Sequence, residues 1–456
     1  MNMLVPSRRA ALLLSLLASI ASAAPKATAP VVAAAPGELA IYTARPLASF
    51  HVSVADFESQ AVLSGDSATV PKPDNAQVAA SVVSVHVSGK DAGDDALTLH
   101  WKDAWYANLR IEGGTPVDLR PYLRQGVLAL DLKVDNLAKG GMGFKLNCGK
   151  DCERKLPFLV EGRALAGKGW RHLVFPMRCF VREGDDFSAV PQPFALDGNG
   201  SGDVAIANVK LQTSGKPNAS CPDYRTESVT PAMLDESWSI EWWLPRHQAK
   251  LKEIARRKAG KESTGVVFIG DSITEGWEKS GAKVWDANYK QFNGLALGFG
   301  GDRTENVLWR LQHGEVDGID PKVAVLMLGT NNTGSRQENP LTTAAGIKRD
   351  IDELRKRLPH TRILLLAIFP RDEKPDGAAR RRNQQVNAIV ARLADNKRVF
   401  FLDINKVFLD ADGVLSKSIM PDLLHPNQAG YALWAEAMAP ELQRLMAMPR
   451  LPARPQ

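Results

Sequence analysis

Cysteine and histidine are scarce in this chain, and their spacing argues against metal chemistry. The 456 residues include 4 cysteines and 8 histidines. None of the cysteines shows the C-x2-C spacing of zinc sites, and neither H-x-H nor H-E-x-x-H occurs. We therefore expect no catalytic metal and no other cofactor, and a zinc site on the cysteines is only the alternative weighed against disulfides.

Long apolar runs are absent beyond the start of the chain. Residues 1–23 combine Arg8 and Arg9, an apolar stretch over 10–20 and the small residues Ala21-Ser22-Ala23. The stretch is shorter than the roughly 20 residues of a membrane-spanning helix. The pattern predicts a cleaved export signal over residues 1–23, no membrane span, and a periplasmic or secreted protein. The arginine pair leaves the twin-arginine route open beside general secretion.

Aromatic residues interleaved with basic ones are also missing, although the net charge is +6. Proteins that bind single-stranded nucleic acids need this combination, so we expect no nucleic-acid partner. Apolar residues make up 44% of the chain and charged residues 24%, which is the composition of a folded protein. The length exceeds what one ordinary core supports and predicts two domains.

All four cysteines lie in the first half of the chain, at positions 148, 152, 179 and 221. Export makes disulfides the expected state of these residues. Four cysteines allow three pairings, and we favour Cys148 with Cys152 and Cys179 with Cys221. The first pair can close a small loop within LNCGKDCERK.

Strand patterns fill residues 38–225, after an Ala- and Pro-rich lead at 24–37 that is typical of a flexible segment. Several runs alternate apolar with polar residues and are separated by Gly, Asp, Pro and Lys turns. They predict an all-β domain, an antiparallel sandwich in which each sheet buries one face. The runs are ASVVSVHVSG, DALTLHWKDAWYANLRI, GVLALDLKVDNL, WRHLVFPMRCF and DVAIANVKLQ.

Two features of this first domain allow more than one interpretation. Residues 197–203 resemble a calcium loop, but position twelve holds Asn208 instead of a bidentate glutamate, so we predict a hairpin turn. Four aromatic residues are either core residues or a platform on which sugar rings stack, and the pattern alone favours the core. These residues are Trp101, Trp105, Tyr106 and Trp170.

Strand and helix patterns alternate from residue 232 to 448. Such alternation predicts a three-layer α/β domain, flavodoxin-like, in which helices cover both faces of a parallel sheet. The segment 231–261 before the first strand predicts a leading helix rich in aromatic residues. The strand candidates are STGVVFIG, GLALGF, KVAVLML, TRILLLAIF and RVFFLDI.

Polar residues follow three of these strands, and one of them is a serine. Ser272 comes after VVFIGD, Gly301 follows GLALGF, and Asn331 follows KVAVLML. Chemistry gathers where parallel strands end, so these residues are expected to meet. Asp422 and His425 near the end of the chain are three residues apart and can share one turn. A serine nucleophile needs such a base, a group that orients the base, and donors for the oxyanion.

Four blocks in this domain occur in a fixed order: GDSIT, GGDRTENVLWR, GTNN and DLLHP. Together they resemble the SGNH (GDSL) hydrolases, and especially the catalytic subunits of intracellular platelet-activating-factor acetylhydrolase. The resemblance implies that Ser272 is the nucleophile and His425 its general base. It further implies that Asp422 orients the imidazole and supports its positive charge.

The same resemblance implies an oxyanion hole. Its donors are the backbone N–H groups of Ser272 and Gly301 and the side-chain amide of Asn331. Glycine suits this position because the missing Cβ lets its amide approach a substrate. Three further polar residues are expected to support the surrounding loops or to contact substrate, and these are Asp271, Asp302 and Asn332.

The first domain carries a second resemblance. DALTLHWKDAWYANLRIEGG, VDLRPYLRQGVLALDLKV, GKGWRHLVFPMRCF and SAVPQPFALDGNG are similar to the galactose-binding-like accessory domain of bacterial exo-β-glucosidases. The similarity covers residues 80–212. It implies a jelly roll that contacts carbohydrate or shapes a neighbouring active site.

These observations predict an exported carboxylic-ester hydrolase that removes small acyl groups, foremost acetyl, from an acetylated poly- or oligosaccharide through an acyl-serine intermediate. A short-chain lipid or general esterase is the alternative among enzymes, because the acetylhydrolases it resembles act on an acetylated phospholipid. A carbohydrate-binding protein with an incidental hydrolase domain is the alternative from another class. The intact set of Ser272, Asp422 and His425 argues against that last alternative.

Overall fold

The computed structural model describes residues 37–452, apart from 57, 72–80, 92, 150–151, 183 and 237. The export signal predicted at 1–23 and nearly all of the lead at 24–37 lie outside the described residues. The described strands form two separate sheets, one antiparallel with ten strands and one parallel with five. This architecture confirms the expected all-β domain followed by an α/β domain. No helix within the described ranges has the length and apolar character needed to cross a bilayer.

The N-terminal sheet is built from alternating sequences, and every strand pair in it is antiparallel. Three long strands form its centre, in the order β6-β10-β7. Of the shorter strands, β2 and β5 pair with β6, β8 and β9 pair with β7, and β1 pairs with β10, while β3 and β4 extend the sheet beyond β2 and β5. One short helix, α1 (Leu159–Leu165), packs on β7. The strands are β1 (Glu38–Tyr42), β2 (His51–Ala55), β3 (Gln60–Val62), β4 (Ser67–Thr69), β5 (Val82–Ser88), β6 (Ala96–Glu112), β7 (Val127–Asn147), β8 (Glu153–Pro157), β9 (Arg171–Pro176) and β10 (Gln192–Gln212).

The hairpin predicted at residues 197–203 is wrong, because this segment lies inside the long strand β10. The register of β10 against β6 shifts near Gly198, Gly200 and Gly202, which marks bulges in a continuous strand. The indole of Trp101 packs on Gly198 and Gly202 and donates from Nε1 to the carbonyl of Asn199 at 2.9 Å. Glycines that resemble a turn in the sequence therefore provide room for a buried tryptophan.

The C-terminal sheet has the order β12-β11-β13-β14-β15, and all its pairs are parallel. Alternate residues of β11 enter different cores: Val266 and Phe268 belong to one, Val267 and Ile269 to the other. Both faces are therefore covered, as the near-continuous apolar strands predict. The strands are β11 (Val266–Gly270), β12 (Leu295–Gly298), β13 (Val323–Met327), β14 (Arg362–Leu366) and β15 (Val399–Leu402).

The helices of this domain lie between and around the strands, as alternation predicts. The leading helix, however, begins at Trp243 instead of residue 231, and Pro245 falls in its first turn, where the missing N–H is tolerated. Residues 231–236 before it have no regular structure and 238–242 form turns, and Leu234 packs with Trp243 and Phe299 in a buried cluster. The helices are α2 (Trp243–Ala259), α3 (Ser272–Glu275), α4 (Ala282–Asn288), α5 (Thr304–Gln312), α6 (Thr330–Thr333), α7 (Pro340–Arg357), α8 (Ala378–Val390) and α9 (Gln428–Ala447).

Two disulfides are formed in the N-terminal half, Cys148–Cys152 and Cys179–Cys221. The first closes the short turn between β7 and β8. The second joins residues 42 positions apart and fixes the chain that leaves the β-domain to the segment after β9. A covalent link of this length limits the unfolded chain more than a short one does.

The four aromatic candidates of the β-domain separate into two groups. Trp101 is 1% exposed and belongs to the core, whereas Trp105 on the same strand is 75% exposed. Tyr106 and Trp170 are half-buried. The core interpretation therefore holds for Trp101 and does not hold for Trp105.

This contrast yields a matched pair for stability. We expect Trp101→Ala to lower the free energy of unfolding of the β-domain by about 3–5 kcal/mol, since it empties a packed site. Trp105→Ala is expected to change it by less than about 0.5 kcal/mol. Urea titrations followed by circular dichroism measure both values. Equal losses of unfolding free energy in the two variants would contradict the burial of Trp101 and the exposure of Trp105.

Candidate active site

The serine follows the middle strand of three at the carboxyl edge of the parallel sheet. β11 lies between β12 and β13, and its last residue, Gly270, is paired with Gly298 on one side and Met327 on the other. Ser272 then opens helix α3. Residues that follow β12 and residues that follow β13 therefore flank Ser272 from both sides, as the rule for parallel sheets requires.

Ser272, His425 and Asp422 form one continuous chain of hydrogen bonds. The Oγ of Ser272 lies 2.7 Å from Nε2 of His425, and Nδ1 of His425 lies 2.6 Å from Oδ2 of Asp422. A carboxylate can only accept, so Nδ1–H donates to Asp422 and Nε2 is left to accept the serine proton. The structure thus brings together the three residues expected to meet, although 153 positions separate serine from histidine.

A tight turn before α9 holds the acid and the imidazole together. Asp422 Oδ1 accepts from the backbone N–H groups of Leu424 at 3.1 Å and His425 at 2.7 Å. Leu423 adopts a positive φ of 60°, which folds the chain back between the two partners. Burial opposes the charge on Asp422, but the hydrogen bonds from His425 outweigh it and hold the pKa of this carboxyl below its usual value. The carboxylate remains ionised beside the imidazole.

Two expected oxyanion donors, Gly301 and Asn331, lie together on the wall of one cleft. Gly301 has a φ of +76°, a conformation that a residue with Cβ adopts only under strain. The side-chain amide of Asn331 donates one hydrogen to the carbonyl of Asp302 at 2.9 Å. An amide carries two hydrogens, so the second is available to a ligand in the cleft.

The glycine loop is held by a residue that sequence reasoning missed. Glu275, three positions after Ser272, accepts from the backbone N–H of Gly300 at 2.6 Å through Oε2. This bond fixes the peptide between Phe299 and Gly300, one residue before the N–H of Gly301. The sequence could have indicated Glu275 by its position in GDSITEGW, because one helical turn after Ser272 brings it beside the end of β12.

The three supporting candidates are fully buried, and each is 0% exposed. Asp271 caps α3 by accepting from the N–H of Ile273 at 3.0 Å, and burial raises its pKa to about 6. Asn332 accepts from the N–H of Thr304 at 3.2 Å and so ties the two loops together. Their burial and these bonds favour the supporting role over substrate contact, and the assignment stays a prediction.

Asp302 holds the loop that carries Gly301 against the interior of the domain. It accepts from Trp243 Nε1 at 2.6 Å and from Arg310 Nε at 2.8 Å. Arg310 also binds Glu315, and none of these charged groups is exposed. Burial raises the pKa of Asp302 to about 7, against the lowering effect of Arg310. Arg310 is the last residue of the block GGDRTENVLWR, and it is fully buried because it binds Asp302 of the same block.

The cleft itself lies between the two domains and has a volume of about 470 Å³. The α/β domain contributes Gly301, Asn331 and Trp238, while the β-domain contributes residues of β6, β7, β8 and β10. The Trp238 ring covers Gly301, since a Cβ there would lie 2.2 Å from it. Periodicity could not reveal Trp238, which lies in an irregular segment.

One group of residues combines metal-binding atoms in the described part of the chain. Cys148, Cys152 and Asp185 bring three donor atoms within 4.8 Å of one another. The two sulfurs are joined in a disulfide and are not available as thiolate ligands.

Comparison with known proteins places both halves of the chain. Residues 268–433 match the model of the GDSL-like lipase/acylhydrolase family, and residues 60–211 match that of a galactose-binding-like domain. Over 183 residues the chain is 38% identical to platelet-activating factor acetylhydrolase IB subunit alpha1 of Pongo abelii, covering 40% of this chain and 77% of that protein.

Two further similarities concern one half each. Subunit alpha2 of Rattus norvegicus is 36% identical over 206 residues, covering 45% of this chain and 85% of that protein. The extra C-terminal domain of an exo-1,3/1,4-beta-glucanase from a Pseudoalteromonas species is 18% identical with a TM-score of 0.32, covering 40% of this chain and 96% of that one. With its identity to the acetylhydrolase subunits and its match to the family model, the chain belongs to the GDSL-like lipase/acylhydrolase family and carries a galactose-binding-like domain before its hydrolase domain.

Proposed function

We propose that the protein is a serine esterase that removes small acyl groups, foremost acetyl, from carbohydrate. One observation carries the proposal: Ser272 Oγ lies 2.7 Å from His425 Nε2, whose other nitrogen lies 2.6 Å from Asp422. A serine hydroxyl is a poor nucleophile at neutral pH, and a hydrogen-bonded imidazole supplies the missing base.

In the acylation step, Ser272 Oγ attacks the ester carbon while its proton moves to His425 Nε2. Asp422 stabilises the imidazolium through the Nδ1–H bond and stays ionised. The tetrahedral intermediate then collapses, the bond to the alcohol oxygen breaks, and Nε2 returns the proton to the leaving alcohol. The product is a sugar hydroxyl and an acyl group on Ser272.

Deacylation repeats the sequence with water as the nucleophile. His425 Nε2 takes a proton from water, the hydroxide attacks the acyl carbon, and the proton passes to Ser272 Oγ as the free acid leaves. In both steps the negative oxygen faces the N–H groups of Ser272 and Gly301 and the amide of Asn331. Donors that are already in position before the negative charge develops usually make the largest single contribution to the rate enhancement in such sites.

The composition of the cleft favours a sugar over a long acyl chain or a lipid tail. Its lining combines three exposed or half-exposed aromatic rings with charged side chains. Sites that bind apolar chains are lined mainly by apolar residues, whereas sugars present hydroxyls on one side and C–H faces on the other. A small acyl group is favoured because Trp238 and Leu234 lie directly against Gly301.

A phospholipid is the second candidate substrate. It is favoured by the identity of 38% to a protein named platelet-activating factor acetylhydrolase over 183 residues. That relative matches only the hydrolase domain, so it carries no information about the contribution of the β-domain to the cleft. The acetyl ester is common to both candidates, and the alcohol distinguishes them.

Export is part of the proposal. The pattern of residues 1–23 is that of a cleaved signal, and two disulfides suit an oxidising compartment. Polysaccharide substrates lie outside the cytoplasm, so the compartment and the substrate agree.

The first test uses acetate release from a panel of acetylated xylan, xyloglucan and pectin and from an acetylated phospholipid. We expect release from at least one glycan at a higher kcat/KM than from the phospholipid. Ser272→Ala is expected to abolish release from every substrate while its circular dichroism spectrum is unchanged. Full activity in Ser272→Ala would end the serine mechanism, and exclusive activity on phospholipid would replace the carbohydrate assignment.

A second test removes one oxyanion donor. We expect Asn331→Ala to lower kcat on p-nitrophenyl acetate by about 10²–10³-fold with little change in KM, since the amide hydrogen not bonded to Asp302 would meet only the developing oxyanion. Asn288→Ala is the control, because that amide bonds a carbonyl of its own helix, at Val284. An increase in KM with kcat unchanged would make Asn331 a substrate-binding residue.

A third test concerns the size of the acyl group. Trp238→Ala is expected to raise the ratio of kcat/KM for p-nitrophenyl butyrate to that for the acetate by about tenfold, because it opens space beside Gly301. Met233→Ala, which removes an exposed side chain 5 positions away, is the control. An unchanged ratio would show that another wall limits the acyl chain.

A further inference from the structure

The wall of the cleft opposite the oxyanion donors comes from the β-domain. Trp105 and Tyr106 of β6, Lys145 of β7 and Asp197 of β10 line the same space as Gly301 and Asn331. These side chains come from adjacent strands of one sheet, since β6, β10 and β7 are neighbours. Two of the expected oxyanion donors and the surface of the β-domain thus line a single cleft.

Ion pairs across the boundary hold this wall in place. Lys155 Nζ donates to Glu236 Oε2 at 3.3 Å, and Glu236 also accepts from Arg303 Nη2 at 2.6 Å. Arg154 Nη1 donates to Gln337 Oε1 at 3.0 Å. Glu236 and Arg303 are buried, so breaking this set would leave unpaired charges in the interior. The β-domain is therefore a fixed part of the cleft.

A buried carboxylate in this wall is paired with two lysines. Asp197 is 5% exposed, and its Oδ2 lies 3.5 Å from Lys145 and 3.3 Å from Lys155. Its Oδ1 is buried and accepts no hydrogen bond from the described residues. The carboxylate therefore serves to hold the ammonium groups of Lys145 and Lys155, both of which line the cleft. Ammonium groups donate hydrogen bonds, so this wall offers donors to a polar ligand.

An aromatic surface stands beside this carboxylate. Trp105 is 75% exposed, the largest exposed fraction among the large hydrophobic residues that the structure describes. Tyr106 is half-buried, and the ammonium of Lys145 lies 5.1 Å from the centre of its ring. An exposed indole next to hydrogen-bonding groups suits a ligand that has an apolar face and polar edges.

We infer that the β-domain forms the subsite for the sugar ring whose acetyl ester the serine attacks, with Trp105 stacking on the ring. This inference rests on the proposed function and assigns the alcohol side of the ester to the β-domain. The β-domain is then a wall of the active site and not a separate carbohydrate-binding module. An acyl-phospholipid would place its tails against the charged residues of the same wall.

The experiment compares Trp105→Ala, the conservative Trp105→Phe and the control Trp170→Ala in the full chain. Trp170 is half-buried just before β9 and is not among the described residues that line the cleft. Initial rates are measured on acetylated xylooligosaccharides and on p-nitrophenyl acetate, which lacks a sugar ring. Isothermal titration measures binding of deacetylated xylooligosaccharides to each variant combined with Ser272→Ala.

We expect Trp105→Ala to raise KM for the acetylated oligosaccharide about tenfold relative to its effect on p-nitrophenyl acetate, the change that the loss of one stacking contact brings. Trp105→Phe should restore most of this difference, and Trp170→Ala should match the unaltered protein. Binding to the Ser272→Ala background should weaken by the same factor.

Equal KM values for Trp105→Ala and the unaltered protein on the oligosaccharide would overturn the inference, as would equal binding. The two proposals fail in different ways. If the oligosaccharide binds through Trp105 but no acetate is released from any glycan, the subsite stands and the carbohydrate esterase assignment falls. If glycan acetate is released through Ser272 without any effect of Trp105, the function stands and the subsite falls.

Discussion

The parallel pairing of β11 between β12 and β13 is the constraint on which the site depends. Each strand delivers one loop to the same edge, and the middle strand delivers the serine. The approach is close: a Cβ at Gly298 would lie 2.0 Å from the backbone nitrogen of Glu275. The helix that begins at Ser272 can therefore pack directly on the end of β12, and Glu275 reaches the loop that carries Gly301. Any shift of register would separate the nucleophile from its oxyanion donors.

Beneath this edge a buried ionic network keeps the loops rigid. Arg310 bonds both Asp302 and Glu315 with no exposure of any of the three, and Asp302 passes the restraint to Asn331 through its backbone carbonyl. Removing one partner of such a network leaves a charge without compensation and costs about 3–5 kcal/mol. The arrangement gives a physical reason for charged residues in the core of a catalytic domain. They hold the oxyanion donors in place before the substrate arrives.

The hydrogen-bonded residues Asp422 and His425 and the expected oxyanion donors differ in their surroundings. Asp422 and His425 are partly exposed on a turn that backbone hydrogen bonds hold, while the oxyanion donors face a cleft shared by two domains. Because the β-domain is fixed by Lys155, Glu236 and Arg154, its polar sheet face acts as a wall. In the proposed reaction, the hydrolase domain alone would leave the alcohol side of the ester open to water. A second domain can therefore change the substrate without any change in the catalytic residues.

The sequence by itself determined the elements and the chemistry of each half. Apolar periodicity predicted the five parallel strands and the antiparallel domain, since period and burial of one or both faces are properties of a local segment. The ordered blocks predicted which serine, histidine and acid would meet. Where local pattern conflicted with packing it misled, as at residues 197–203, where glycines accommodate Trp101, and before Trp243, where the helix starts later. Only the tertiary structure decided which surfaces of the two domains meet, and hence that Trp105 is exposed and Trp238 covers Gly301. Periodicity reports that a face is buried or exposed, but the partner of that face is chosen by contacts between distant segments.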